Sequence, residues 1–246
     1  MPKSGRLVCV GTGIKLMAHM TPVSKQQIEA ADIVFMAVAN SLMGSWIREL
    51  NPNIHDLGQY YQPGKSRLIT YKEMTEGIMQ EVRAGKNVCG AIYGHPGIFA
   101  MVPHKVISLA RKEGYQAYME PGISAEDCLY ADVGIDPGRY GCQHYETTQF
   151  MLHRKNIEPS AYLILWQIGI AGDKELTQFT TTETSLGLLR DKLQTIYPDN
   201  HEVILYESST VLFKEPRIET IKLLQLAEIK TTLETTLIIP PLRKAN

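Results

Sequence analysis

The chain has little of what would mark several large classes of protein. Lysine and arginine number 25 against 26 aspartates and glutamates in 246 residues, a formal net charge of -1. With the signs interspersed, no basic field exists to attract nucleic acid. Its four cysteines, Cys9, Cys89, Cys128 and Cys142, form no Cys-x-x-Cys pair and no zinc spacing, so reduced structural thiols and no bound metal are expected. No apolar run approaches the length of a membrane span. The opening Met1-Pro2-Lys3-Ser4-Gly5-Arg6 leads straight into a strand, which points to a cytoplasmic protein without a membrane partner. A Walker loop and a Gly-x-Ser-x-Gly elbow are both missing, which weakens nucleotidase and hydrolase readings.

What is present is enough apolar residue, 44% of the chain, for a substantial core in one large α/β domain or two ordinary ones. Leu7-Val8-Cys9-Val10, Ile33 to Val38, Ile54 to Leu57, Asn87 to Ile92 and Tyr115 to Met119 read as strands. Between them fall helices capped by Thr21-Pro22, from Leu42 to Leu50, from a Thr70 cap to a Gly85 stop, and from Val102 to Lys112. This alternation predicts a largely parallel sheet covered on both faces. After Glu120-Pro121-Gly122 the signals change, with strands at Tyr162 to Trp166, Val203 to Tyr206 and Leu237 to Ile239. Two α/β domains are therefore expected, over 1–119 and 120–246.

Four segments carry chemistry. Tyr60-Tyr61-Gln62-Pro63-Gly64-Lys65-Ser66-Arg67, with Tyr71 four residues on, gathers three phenols and a guanidinium at a helix entrance. A nearby cation lowers a phenol pKa by roughly 1 to 3 units from about 10, which would make a phenolate base accessible. Tyr93-Gly94-His95-Pro96-Gly97-Ile98-Phe99 follows a central strand, at the end where ligands of open α/β sheets collect. Its glycines and proline expose backbone polar groups between apolar walls. Pro121-Gly122-Ile123-Ser124-Ala125-Glu126-Asp127 reads as a helix start capped by Ser124, and Trp166-Gln167-Ile168-Gly169 ends a later strand. Gly11-Thr12-Gly13 lacks the third glycine and the distal acid of a dinucleotide fingerprint, so its glycines are expected to serve a tight turn with close backbone approach.

Val10-Gly11-Thr12-Gly13, the Tyr93 and Pro121 segments and Ile239-Pro240-Pro241, in that order, resemble the tetrapyrrole methylase superfamily across nearly the whole chain. Within it, the tyrosine loop to Tyr71, the Tyr93 segment and Ala125-Glu126-Asp127-Cys128-Leu129 resemble the borosin peptide α-N-methyltransferases, which methylate backbone amides of a ribosomally made precursor. The resemblance implies an α/β fold of two domains with S-adenosylmethionine in a cleft between them, S-adenosylhomocysteine as product, and a homodimer. It implies Tyr61, Arg67 and Tyr71 as catalytic residues and Tyr93, His95, Ile98, Phe99, Ser124, Ala125 and Gln167 as cofactor contacts. Tyr206, Ser208, Ser209, Thr235 and Thr236 follow as further cofactor contacts. Tyr71, or Tyr61, made more acidic by Arg67, would take the amide proton.

Fused fungal members carry their substrate as a C-terminal extension, whereas this sequence stops at Arg243-Lys244-Ala245-Asn246, so a separate precursor peptide is the expected partner. The alternative enzyme is a tetrapyrrole C-methyltransferase, whose polyanionic substrate would call for several cations in the cleft. A third reading is a module that binds S-adenosylmethionine or a peptide without transferring anything.

Overall fold

The computed structural model describes residues 4–38, 40–62, 64–173 and 180–242. The opening Met1-Pro2-Lys3, Pro63 of the tyrosine loop and the closing Arg243-Lys244-Ala245-Asn246 lie outside them. The chain divides into two compact units, residues 1–128 with 209–214, and residues 129–208 with 215–246. The sequence expectation divides it at 119/120. In the structure the segment 120–128 belongs with the first unit because Gly122 is in backbone contact with Gly94 and Gly11.

In the first unit β1 (Arg6–Gly11), α1 (Pro22–Glu29), β2 (Ile33–Ala37), α2 (Ser41–Leu50), β3 (Ile54–Asp56), α3 (Arg67–Arg83), β4 (Asn87–Ile92), α4 (Met101–Lys112), β5 (Gln116–Glu120) and α5 (Ala125–Val133) follow in turn. The strands form a wholly parallel sheet in the order β3-β2-β4-β1-β5. Successive side chains of β1 alternate between two cores. Leu7 and Cys9 join Met74, Ile78, Val82 and Val106 from α3 and α4, while Val8 and Val10 join Ile28, Met43 and Ile47 from α1 and α2. A strand buried on both faces has no polar side, which is why its sequence is a continuous apolar run.

The division falls within α5. The second unit continues with α6 (Pro137–Tyr140), β6 (Cys142–Glu146), α7 (Thr147–Leu152), β7 (Tyr162–Trp166), α8 (Glu183–Gln194), β8 (Glu202–Glu207), β9 (Arg217–Lys222) and β10 (Thr236–Ile239). Its sheet runs β6-β7-β10-β8-β9, with β6 parallel to β7 and the other pairs antiparallel. Leu163, Leu165, Val203, Leu205, Leu237 and Ile239 form one face of it, packed against Leu189 and Leu193 of α8 and Phe150 of α7. No helix among the described residues is long and apolar enough to cross a membrane.

One helix start differs from expectation. Ser66, not Thr70, caps α3, accepting from the Leu68 amide at 3.3 Å, and the Thr70 hydroxyl lies inside the first turn, donating back to the Ser66 carbonyl at 3.4 Å. Both residues suit an N-cap, and the earlier one satisfies a turn more of amide donors. Starting at Arg67 places Arg67 and Tyr71 one turn apart on the helix face that continues through Met74, Ile78 and Val82 into the core.

Candidate active site

The tyrosine loop is fastened at several points. Tyr60 closes a 3₁₀ turn over Leu57–Tyr60, and its hydroxyl lies 3.1 Å from His55 Nε2. Its ring lies against α3 at Gly77, where a Cβ would stand 2.5 Å from the Tyr60 oxygen. Lys65 Nζ donates to the Tyr60 carbonyl at 3.0 Å and pairs with Glu73 on α3. His55, Lys65, Glu73 and Gly77 therefore hold the loop, and none was a candidate from sequence. A pairing that crosses a loop and two helical turns follows no local spacing rule, so only the Lys-Ser-Arg cluster hinted at it.

Within that frame Tyr61 and Tyr71 meet edge to face, with ring centroids 6.5 Å apart and their hydroxyls hydrogen-bonded. Arg67 is buried, while Tyr61 is 39% exposed. The expectation that Arg67 would acidify Tyr61 is corrected here. Burial, with the charge and hydrogen bond of Tyr71, pushes the Tyr61 phenol above its ordinary value, and Arg67 opposes this only in part. Tyr61 thus holds its proton more tightly than a free phenol does.

The ends of β1, β4 and β5 carry the second set. Gly13 and Gly94 exchange backbone hydrogen bonds of 3.0 and 3.2 Å, and the Tyr93 amide donates to the Ala37 carbonyl at 2.8 Å. A Cβ on Gly11 would lie 2.3 Å from the Gly94 oxygen and 2.7 Å from Gly122 Cα, so three loops meet backbone to backbone. This is the close approach expected of Gly11. His95 Nδ1 accepts the Gly97 amide at 2.9 Å. Ile98 and Phe99 project outward, 37% and 50% exposed, with Phe99 in the left-handed region at φ 50°. An exposed aromatic in that backbone marks a position held by its surroundings. Ser124 caps α5 as expected, its hydroxyl accepting from the Asp127 amide at 3.3 Å while its own amide and hydroxyl each donate to the Asp127 carboxylate at 2.7 Å. Ala125 begins that helix. Tyr60 and Tyr71 pack on the same core cluster as Ile92 and Ala100, the residues flanking the 93–99 loop.

In the second unit Gln167 leaves β7 in the left-handed region at φ 60°, and the next amide, of Ile168, donates to the Thr235 carbonyl at 3.0 Å. Thr236 pairs with Tyr206 across β10 and β8, so Gln167, Tyr206, Thr235 and Thr236 share one end of the sheet. Several of these hydroxyls have structural bonds. Tyr206 donates to Asp132 at 2.8 Å, Thr235 to Glu207 at 2.6 Å, and Ser209 to the Val211 carbonyl at 2.8 Å. Ser208 and Ser209 fall on either side of the division between units. Among the described residues no three His, Cys, Asp or Glu side chains are gathered to hold a metal.

A parallel doubly covered sheet followed by a mixed sheet, with glycine-rich loops at the strand ends, defines a two-sheet α/β class of proteins. The chain belongs to the tetrapyrrole (corrin/porphyrin) methylase family, whose model matches residues 6–224. It is similar to a protein of Coprinopsis marcescibilis named a methyltransferase/ribosomally synthesized type I borosin cyclic peptide precursor, 42% identical over 246 residues, covering 98% of this chain and 63% of that protein. It is similar too to the methyltransferase/omphalotin A precursor of Omphalotus olearius, 38% identical over 249 residues, covering 99% of this chain and 60% of that protein. The chain thus spans about three fifths of the length of these curated relatives. Among solved structures, the uroporphyrin-III-C-methyltransferase of Thermus thermophilus superposes with a TM-score of 0.67 at 15% identity, covering 96% of this chain and 94% of that one, and shows the fold.

Proposed function

We propose that this chain is an S-adenosylmethionine-dependent methyltransferase acting on backbone amide nitrogens of a ribosomally made peptide. The observation that carries the reading is the joining of Tyr61, buried Arg67 and Tyr71 at the start of α3. The first-unit loops suit the cofactor by their chemistry, offering exposed apolar Ile98 and Phe99 beside backbone polar groups and His95. When bound there, the cofactor supplies an electrophilic sulfonium methyl group.

The chain's own residues must make a poor nucleophile reactive. Resonance ties the amide lone pair to the carbonyl, so the nitrogen attacks only as its proton leaves and charge gathers on the carbonyl oxygen. Tyr61 holds its proton and so acts as a donor, and Arg67 supplies fixed positive charge to the imidate oxygen. A preorganised donor of this kind is worth about 3 kcal/mol. Tyr71 is left as the base: with its own proton first given up to water, its phenolate takes the amide proton and returns to the phenol. Fixing the nitrogen against the methyl group contributes the larger share, as effective molarities of about 10⁵ to 10⁸ M indicate. The tetrapyrrole alternative is the weaker one, because in the basic stretch Arg67 is buried and Lys65 is paired with Glu73, leaving little for a polyanion.

The assay mixes protein, S-adenosylmethionine and a synthetic precursor peptide and reads backbone N-methylation by tandem mass spectrometry. Arg67→Ala and Tyr71→Phe are expected to lower turnover about 10²- to 10³-fold with cofactor affinity retained. Parental turnover in either variant rejects the assigned roles. The relatives named above join methyltransferase and precursor in one chain. Transfer to a peptide added separately tests the expected separate substrate, and light scattering of the same sample tests the homodimer.

A further inference from the structure

The second unit has a concavity of about 530 Å³ that the methyl-transfer chemistry leaves unused. It opens between the end of α7, the segment 153–157 and the end of α8. Phe150, Ile157 and Ile196 make an apolar floor, Arg154, Lys155 and Lys192 supply cations, and among the described residues no carboxylate lines it. The cations differ in role. Lys192 Nζ donates to the carbonyls of Phe150 at 2.6 Å, Met151 at 3.1 Å and His153 at 3.0 Å, so it caps the carboxyl end of α7 and is structural. Lys155 Nζ stands 5.3 Å over the Tyr145 ring, and Arg154 is exposed. Partial burial, and then the charge of Lys155, push Lys192 below the ordinary lysine value, so the two cations repel one another. A carboxylate placed between them would relieve that repulsion.

We propose that this concavity docks a short acidic stretch of the peptide substrate, with an apolar side chain on the floor and a neighbouring carboxylate against Arg154 and Lys155. The inference rests on the peptide-methylation reading. A peptide fits better than a polyanion because the cations are few and local in a chain of net charge -1, and because the floor between them is apolar. A hold on the substrate separate from the reacting atoms raises the local concentration of the target amide and acts on KM rather than kcat.

The test is fluorescence anisotropy of the whole protein with a fluorescein-labelled peptide of sequence Leu-Glu-Phe-Glu-Leu. A Leu-Gln-Phe-Gln-Leu peptide, inorganic phosphate and a single-stranded oligonucleotide serve as comparators. Binding of the acidic peptide is expected to weaken about 5-fold for each of Arg154→Gln and Lys155→Gln, and to be unchanged in Lys25→Gln, an exposed cation of α1 away from the concavity. Binding of the glutamine peptide with equal affinity, full affinity in the double variant, or displacement by phosphate or oligonucleotide as effective as by unlabelled peptide would each overturn the proposal. If parental protein binds the acidic peptide through Arg154 and Lys155 yet methylates no backbone amide, docking stands and the methylation reading falls. If methylation proceeds with KM unchanged in the double variant, the docking proposal falls alone.

Discussion

Alanine at Gly122 should destabilise the first unit, and the structure sets the size of the effect. A methyl group there would stand 2.6 Å from the Gly94 oxygen and 2.7 Å from Gly11 Cα, and at Gly11 it would stand 2.3 Å from the same oxygen and 2.7 Å from Gly122 Cα. Ordinary contact needs about 3.4 Å or more, and the closest opposing atoms are backbone at the ends of β1, β4 and β5, so relief requires the loops to part. Overpacking of this kind costs about 1 to 3 kcal/mol, and immovable neighbours place both variants toward the upper figure. The two substitutions fill one gap, so Gly11→Ala with Gly122→Ala should cost at least 1 kcal/mol less than the sum, roughly the coupling typical of contacting residues. Gly187 in α8 has nothing within 4 Å of its added Cβ, and Gly187→Ala should stabilise by about 1 kcal/mol through helix propensity alone. Urea unfolding in a Trp166→Phe background reports the first unit through Trp46, which packs on its second core cluster, and the reverse Trp46→Phe background reports Gly187→Ala in the second unit through Trp166 of β7. Single variants within about 0.5 kcal/mol of the parent, or strictly additive losses, would refute the three-loop contact.

Tyr197 is buried and its hydroxyl has no partner among the described residues, so Tyr197→Phe should be neutral or stabilising by about 1 kcal/mol at pH 7 in thermal unfolding. Burial pushes that phenol up to about 12, so the fold holds its proton more tightly than the unfolded chain; stability is whole below pH 10 and declines as pH rises toward 12. The phenylalanine variant should lose part of that alkaline decline. Cys9 is buried and pushed up to about 12, so alkylation at pH 8 should spare it and reach the partly exposed Cys142 first, as peptide mapping would read. Phe213 is fully exposed at φ 65°, and Phe213→Asn should raise stability by up to about 1 kcal/mol in urea unfolding, since asparagine tolerates that backbone.

The parallel sheet was legible because its strands are buried on both faces and read as unbroken apolar runs between helices with marked caps. β6 and β9 were not legible. Cys142–Glu146 is mixed in polarity and Arg217–Lys222 alternates charge with aliphatics at an exposed edge, and their pairing with β7 and β8 supplies what their composition does not.

The residues that do the proposed chemistry were readable one by one, since phenols and a guanidinium carry their reactivity wherever they stand. Their state was not. Tyr61 lies six residues from a cation in sequence, which predicts a more acidic phenol, yet the fold places it against Tyr71 and partly out of water, and those two effects outweigh Arg67. Sequence spacing determines which groups are near along the chain. Only the tertiary structure decided how much water each retains and which neighbour faces its oxygen, and those two quantities set whether a phenol gives or takes a proton.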